Sequence, residues 1–563
     1  MEILQEVTKK RKAINEATNL PNSKKQALLT FSQKGSGASQ ATVDRLILNF
    51  VCSTLQPFSV VEDESFVNLV QCLAPGRSVM CRQTMAVRLK ECYETLKKKL
   101  MAELALVSNV AITADCWSHF SRAYLGITVH WIDEETLQRK SAMLTIERLV
   151  GRHTYDILAA AIHKALREFH IHNKVLACVT DNGSNFVKAF SMFGLHSQTD
   201  VKEDKDNDDE LEIVDVSSIL DEGQNEFHYV LPPHQRCAAH TLNLVAVKDS
   251  QNAESDPAFK KVARSTFARC QALWNKQRST VAADLVKEIF GKLLYTPCAT
   301  RWNSLYDSVN CLLSVVQQHG EDMLDKLVDG LGLPRFRPAE LAFLVEYAMV
   351  MKPLALALNI LQAEKNMFAG YLQPTITSIL RELGKKMNDS SVVYCRPLAK
   401  ALHEGVDKRF GSILEDNKLT TAADLIPSLK FSWLEGQQKE EAVSSFKNEI
   451  DAFASGASSA SVMTEENVNR DEEAIFLNIL TTSVSPVLEE VNSYLMNSHS
   501  DLQCLQHYPI LKSAFLKFNT SLPSSAPVER LFSVGKDVFA IKRGNLSDEN
   551  FKMQLFCKVN YKI

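Results

Sequence analysis

The chain has 563 residues and a mass of 63.0 kDa with 45% apolar residues, more than one compact core can use, so about two to four domains are expected. A formal net charge of −4 excludes a protein that coats nucleic acid over its whole surface; any DNA contact must come from local patches. No apolar run approaches the span of a bilayer, and the start MEILQEVTKKRKAINE lacks the order of a secretory signal. The thirteen cysteines have no C-x-x-C spacing, which excludes the usual zinc-finger pattern and suits reduced thiols inside the cell.

Residues 1–42 read as a disordered basic tail. Lys9, Lys10, Arg11 and Lys12, with Lys24 and Lys25, form either a two-cluster nuclear import signal or simply a solvated basic segment, and SQKGSGASQ (Ser32 to Gln40) has linker composition. Residues 43–106 carry helical spacing broken at LAPGRSV, which predicts a small helical domain.

The period then changes. NVAITADCW, AYLGITVHWID and LQRKSAMLTIERL are β-rich runs separated by turn formers, and TYDILAAAIHKALREFHI has one apolar face and Thr154 as N-cap. VLACVT then reads as a buried strand that delivers Asp181 to a loop, followed by a helix in SNFVKAFSMFG. The order is strand, strand, strand, helix, strand, helix. An acidic run at 200–224 reads as a solvated loop. From about 250 to 510 the pattern is almost wholly helical, with Pro338 suited to a first turn and ASGASSASVM as an interruption. At the C-terminal end Ser547 can cap a helix on which Phe551, Leu555, Phe556 and Val559 share a face.

Asp115 in VAITADCWS repeats the arrangement of Asp181, an acid after an apolar strand. If the two strands are neighbours, about 4.8 Å apart, both carboxylates sit at one edge and could share a divalent cation. Taken alone, each acid could equally be an ordinary turn former or helix cap.

TADCWS, VTDNGSN, RCAAHTLNLVA, TRWNSLYDSV and LPSSAPVERLFSVGKDVFAIKRGNLSDENF occur in that order. With these motifs the chain resembles hAT-superfamily transposases, most of all the BED zinc-finger group that includes domesticated members. The resemblance implies an α/β fold: an RNase H-like core with a mixed five-stranded sheet, interrupted by a large all-α insertion domain and preceded by the helical N-terminal domain. The implied division is a first part of the core at 107–250, the insertion at 251–500, and a C-terminal dimerisation segment at 501–563 that completes the core. It assigns Asp115, Asp181 and Glu529 as catalytic acids binding Mg2+ or Mn2+, Cys237 and His240 as a structural active-site pair, and Trp302 with Arg301 as DNA contacts. Leu531, Phe532, Phe551, Leu555 and Phe556 are assigned to dimerisation. Residue by residue, Glu529 with Arg530 could also be a surface ion pair, and Trp302 core filler. Cys237 and His240 are too few for a zinc site. The finger itself is not expected, because no cysteine or histidine pair precedes residue 52.

Two functions remain open from the sequence. One is a nuclear hAT-type transposase, acting on DNA as a homodimer or higher homo-oligomer by metal-dependent strand cleavage and transfer. The other is a domesticated, non-catalytic dimeric nuclear factor in transcription regulation. Neither involves a membrane.

Overall fold

The computed structural model describes residues 38–119, 121–151, 154–194, 229–298, 302–461, 485–539 and 546–561. The basic clusters at Lys9–Lys12 and Lys24–Lys25, most of the tail and the acidic run lie outside them. Helix α1 (Gln40–Ser53) starts inside the expected linker, because Ser39 accepts from Thr42 N and caps it. Helices α2 (Glu64–Leu73) and α3 (Arg82–Leu106) follow, separated at the expected Pro75–Gly76 break.

The three β-rich runs are strands β1 (Val110–His119), β2 (Arg122–Ile132) and β3 (Arg139–Leu149). Helix α4 (Tyr155–Glu168), strand β4 (Val175–Thr180) and helix α5 (Ser184–Phe193) come next. Thr154 sits at the N-cap of α4 but makes no side-chain cap bond. Strand β5 (His234–Arg236), three residues long, was not legible as a strand. It forms because β4 offers an unpaired edge, on which Cys178, Val179 and Thr180 pair with it. The sheet order is β3-β2-β1-β4-β5, with β1 antiparallel to β2 and parallel to β4. This is the mixed five-stranded sheet that the resemblance implies.

After α6 (Ala238–Val247) the described chain is helical: α7 (Pro257–Lys276), α8 (Thr280–Phe290), α9 (Trp302–His319), α10 (Glu321–Gly330), α11 (Pro338–Leu361), α12 (Leu372–Asn388), α13 (Arg396–Leu414), α14 (Asn417–Asp424), α15 (Gly436–Ser461), α16 (Pro486–Met496) and α17 (Pro509–Phe518). Helix α15 runs through most of the Ser/Ala stretch read as an interruption, since alanine favours a helix. Helix α11 corrects the expectation about apolar runs: by length and composition it could cross a bilayer. Phe343, Leu344, Val350 and Leu354 are instead fully buried among neighbouring helices, and its Glu346 accepts from the backbone N–H groups of Tyr394 and Cys395. These are the marks of a core helix.

Helices α18 (Ala526–Val538) and α19 (Asp548–Asn560) return to the sheet. Ser547 caps α19 as expected, accepting from Asn550 N. Val559, read as part of its apolar face, is exposed. Helix α19 lies between β3 and α3, so Gln554 and Asn560 are buried with the aromatics. Gln554 donates to the carbonyls of Val51 and Gln56. Asn560 accepts from Met143 N at 2.9 Å and donates to Met143 O at 2.9 Å, beside a bulge in the β2–β3 ladder. Its amide thus closes an edge of the sheet that would otherwise offer free backbone groups. Asn560→Leu leaves that pair unmet and is expected to cost about 1–3 kcal/mol, measured by urea unfolding; an unchanged midpoint would refute this role.

Candidate active site

The site begins with strand register. Thr113 pairs with Val179 across the parallel β1–β4 ladder, and two residues further along are Asp115, still in β1, and Asp181, just past the end of β4. Side chains two apart share a face, so the ladder brings the two acids level, as the sequence spacing suggested. Each is held by a neighbouring amide: Cys116 N donates to Asp115 Oδ1 at 2.7 Å, and Gly183 N donates to Asp181 Oδ1 at 3.0 Å.

Across the antiparallel β1–β2 ladder, Asp115 faces Gly126. Directly paired residues point to the same side, so the face that carries Asp115 carries a gap at 126. Helix α18 fills it. A Cβ at Gly126 would stand 2.5 Å and 2.8 Å from Phe532 ring carbons and 3.0 Å from a Val528 methyl. Phe532 in turn stacks on Trp117, two residues beyond Asp115, at 5.6 Å. The missing side chain therefore lets α18 seat against the strand of Asp115 and brings Glu529, in its first turn, to the same region.

The electrostatics agree. Burial, then the negative charge of Asp181 and, to a smaller degree, of Glu529, push the Asp115 carboxyl up to about 8; the Cys116 N–H opposes this. Glu529 is exposed and the two aspartates are half-buried, so the group opens to solvent. Arg530 does not serve as a surface ion-pair partner for Glu529: its guanidinium is part-buried and donates to Gln362 O at the end of α11.

The segment that delivers Glu529, residues 519–525, is pinned from several sides. Arg139 of β3 is half-buried and donates to the carbonyls of Met367, Asn519, Thr520 and Ser521, and desolvation of its guanidinium lowers it to about 9. Gln235 of β5 donates to Leu522 O at 2.8 Å, and Ala238 N donates to Pro523 O at 2.8 Å. Ser524 Oγ donates to Leu361 O at 2.7 Å. Cys237 is fully buried; its sulfur accepts from Ser525 N at 3.3 Å and His240 N at 3.5 Å, and its own N–H donates to Thr180 O at 2.8 Å. It thereby joins the strand of one acid to the helix of another. His240 is half-buried beside it in α6. Asn182, next to Asp181, donates to Thr241 Oγ1, while its Oδ1 is buried without a partner among the described residues.

The remaining assignments fall elsewhere. Trp302 opens α9, but its side chain and Arg301 lie outside the described residues. Leu531, Phe532, Phe551, Leu555 and Phe556, read as dimer contacts, are all buried inside the one chain against the sheet and α3. Phe556 meets Tyr93 edge-on at 4.8 Å, and Phe551 lies 5.1 Å from Tyr124. Apolar spacing marks a face to be covered without saying by what. Gly126, Arg139, Gln235, Asn182 and Ser525 were missed, because their importance lies in contacts between distant segments.

Three carboxylates offer hard oxygen donors suited to a magnesium-class ion, and their mutual repulsion is what such an ion would relieve. Among the described residues, however, no three His, Cys, Asp or Glu side chains are gathered tightly enough to hold a metal. The acids share a field without forming a closed ligand shell.

The comparisons with known proteins point the same way as the motifs. The ZBED1 RNase-like domain family matches residues 113–207, which contain Asp115 and Asp181. A protein of Zea mays described as an AC transposase is 28% identical over 254 residues, 44% of this chain and 28% of that protein. These matches support a relationship of the chain to the hAT-superfamily transposases. Through residues 113–207 it is related to the ZBED proteins. A second Zea mays protein, described as an AC9 transposase, is also 28% identical over 44% of this chain and 27% of its own length. A Talaromyces stipitatus protein described as the transcriptional regulator tpeD is 29% identical over 157 residues, 27% of this chain and 18% of that protein. The matches thus span less than a third of each of these relatives.

Two predictions follow from the geometry. Gly126→Ala forces α18 away from β2 and is expected to lose about 1–3 kcal/mol in chemical denaturation, with part of the loss recovered in the double variant with Phe532→Leu. An unfolded carboxyl titrates near about 4, so up to about 8 the folded protein keeps a proton at Asp115 that the unfolded chain has released. Stability therefore falls as pH rises through that window. Asp115→Asn is expected to raise the unfolding temperature over wild type at about pH 9, with the gap narrowing toward about pH 5; a gap independent of pH would refute it.

Proposed function

We propose that this chain acts on DNA as a hAT-type transposase, by divalent-metal-dependent strand cleavage and transfer at Asp115, Asp181 and Glu529. The observation that carries the reading is geometric: the β1–β4 register sets Asp115 and Asp181 level, and the seating of α18 at Gly126 brings Glu529 to the same region, three acids that lie far apart in the chain. Asp115, Asp181 and Glu529 would have to draw together on the ion from the wider spacing seen here; when bound it would supply charge neutralisation and an activated oxygen nucleophile. The chain's own part is to keep the acids on a rigid sheet edge and a pinned helix, with Cys237 linking the two. The helical region from α7 to α17 corresponds to the insertion of the superfamily, and Trp302 with Arg301 to its DNA contact. The place of action is the nucleus.

The test uses the purified full chain with Mg2+ or Mn2+ and a nicked or hairpin duplex. Loss of carboxylate coordination removes several kcal/mol of transition-state stabilisation. Asp181→Asn is therefore expected to reduce cleavage by on the order of 100-fold or more, and equal activity in both proteins removes the proposal.

A second reading, a non-catalytic dimeric nuclear factor in transcription regulation, is favoured by the similarity to the protein described as a transcriptional regulator. In that case DNA binding persists while wild type and Asp181→Asn share the same cleavage background. The five residues of α18 and α19 assigned to dimerisation pack within the one chain, and a homodimer that keeps this packing uses other surfaces.

A further inference from the structure

Three cysteines distant in sequence meet on the far side of α19 from the sheet. Cys52 closes α1, Cys92 lies in the middle of α3, and Cys557 lies in α19. The Cys557 thiol is in hydrogen-bonding contact with both other sulfurs. Contacts of their neighbours bring the same three helices together. Gln554 donates to Val51 O at 3.2 Å, Lys558 donates to Ser53 O, and Tyr93 packs edge-on against Phe556. Cys52 and Cys557 are buried, whereas Cys92 is half-exposed. Cys92 is therefore the thiol a small oxidant can reach, with Cys557 already in contact behind it.

We propose that Cys92 and Cys557 form a reversible disulfide under peroxide, a modification site that clamps the N-terminal helices to the C-terminal helix. The Cys557 contact also lowers the Cys92 thiol from its usual range, which favours the reactive thiolate. Cys92 sulfur attacks the peroxide O–O bond, giving a sulfenic acid and one water. Cys557 sulfur then attacks the sulfenic sulfur, forming the S–S bond and expelling a second water. The two thiols lose two electrons and two protons, and hydrogen peroxide takes them up. A dithiol reductant reverses the step.

The experiment treats the folded full chain with hydrogen peroxide, blocks remaining thiols, and maps non-reduced peptides by mass spectrometry. A linked peptide pair containing Cys92 and Cys557 is expected, removed by dithiothreitol and absent in Cys92→Ser. The oxidised wild type is expected to unfold at a higher temperature than the reduced form, a shift that Cys92→Ser abolishes. Oxidation confined to the exposed Cys72, Cys81 and Cys298, linkage of Cys557 to Cys52 instead of Cys92, or linkage seen only after unfolding in urea would overturn the proposal.

Discussion

A backbone position without a side chain governs how this molecule is assembled. Gly126 lies opposite Asp115 in the β1–β2 ladder, and the space it leaves is taken by Phe532 and Val528 of a helix some four hundred residues later in the chain. Protein interiors tolerate little overlap, so one methyl group at this point would lift the helix. The distance between the strand that carries Asp115 and the helix that carries Glu529 is therefore set by steric contact, and the charges follow the packing.

Around that contact the structure spends buried polar bonds on position. Arg139, Gln235, Ser524 and Cys237 each hold the approach to α18, and Arg530 ties its first turn to the end of α11. The helical region is thus attached to the helix of Glu529 at defined atoms. Breaking one partner of such a buried pair exposes the other to an uncompensated desolvation cost, so these bonds fix the segment in one place. The same logic closes the sheet edge, where Asn560 reads the backbone of Met143. It also explains why α19 carries polar residues on a buried surface.

Much of this was legible in advance. Apolar runs with β-branched residues gave the four long strands, and 3.6-residue spacing gave α4 and the helices of the later region. Motif order gave the superfamily that the comparisons support. Strand β5 was not legible, since His234–Arg236 has no alternation and is a strand only because β4 provides its partner. The aromatic residues of α18 and α19 were correctly seen as needing cover, but the covering surface is the chain's own sheet and α3, which no local pattern encodes. Similarly, α11 has the composition of a bilayer helix, and only its packed neighbours distinguish it from one.

By itself the sequence determined which residues carry charge at strand ends, which segments prefer strand or helix, and which superfamily the motif order resembles. These are local or order-dependent properties, readable from neighbours along the chain. Only the tertiary structure decided that Asp181 and Glu529 come near enough to act on Asp115, that Gly126 admits the helix of Glu529, and that three distant thiols meet. Each of those depends on long-range packing, where separation in space bears no relation to separation in sequence.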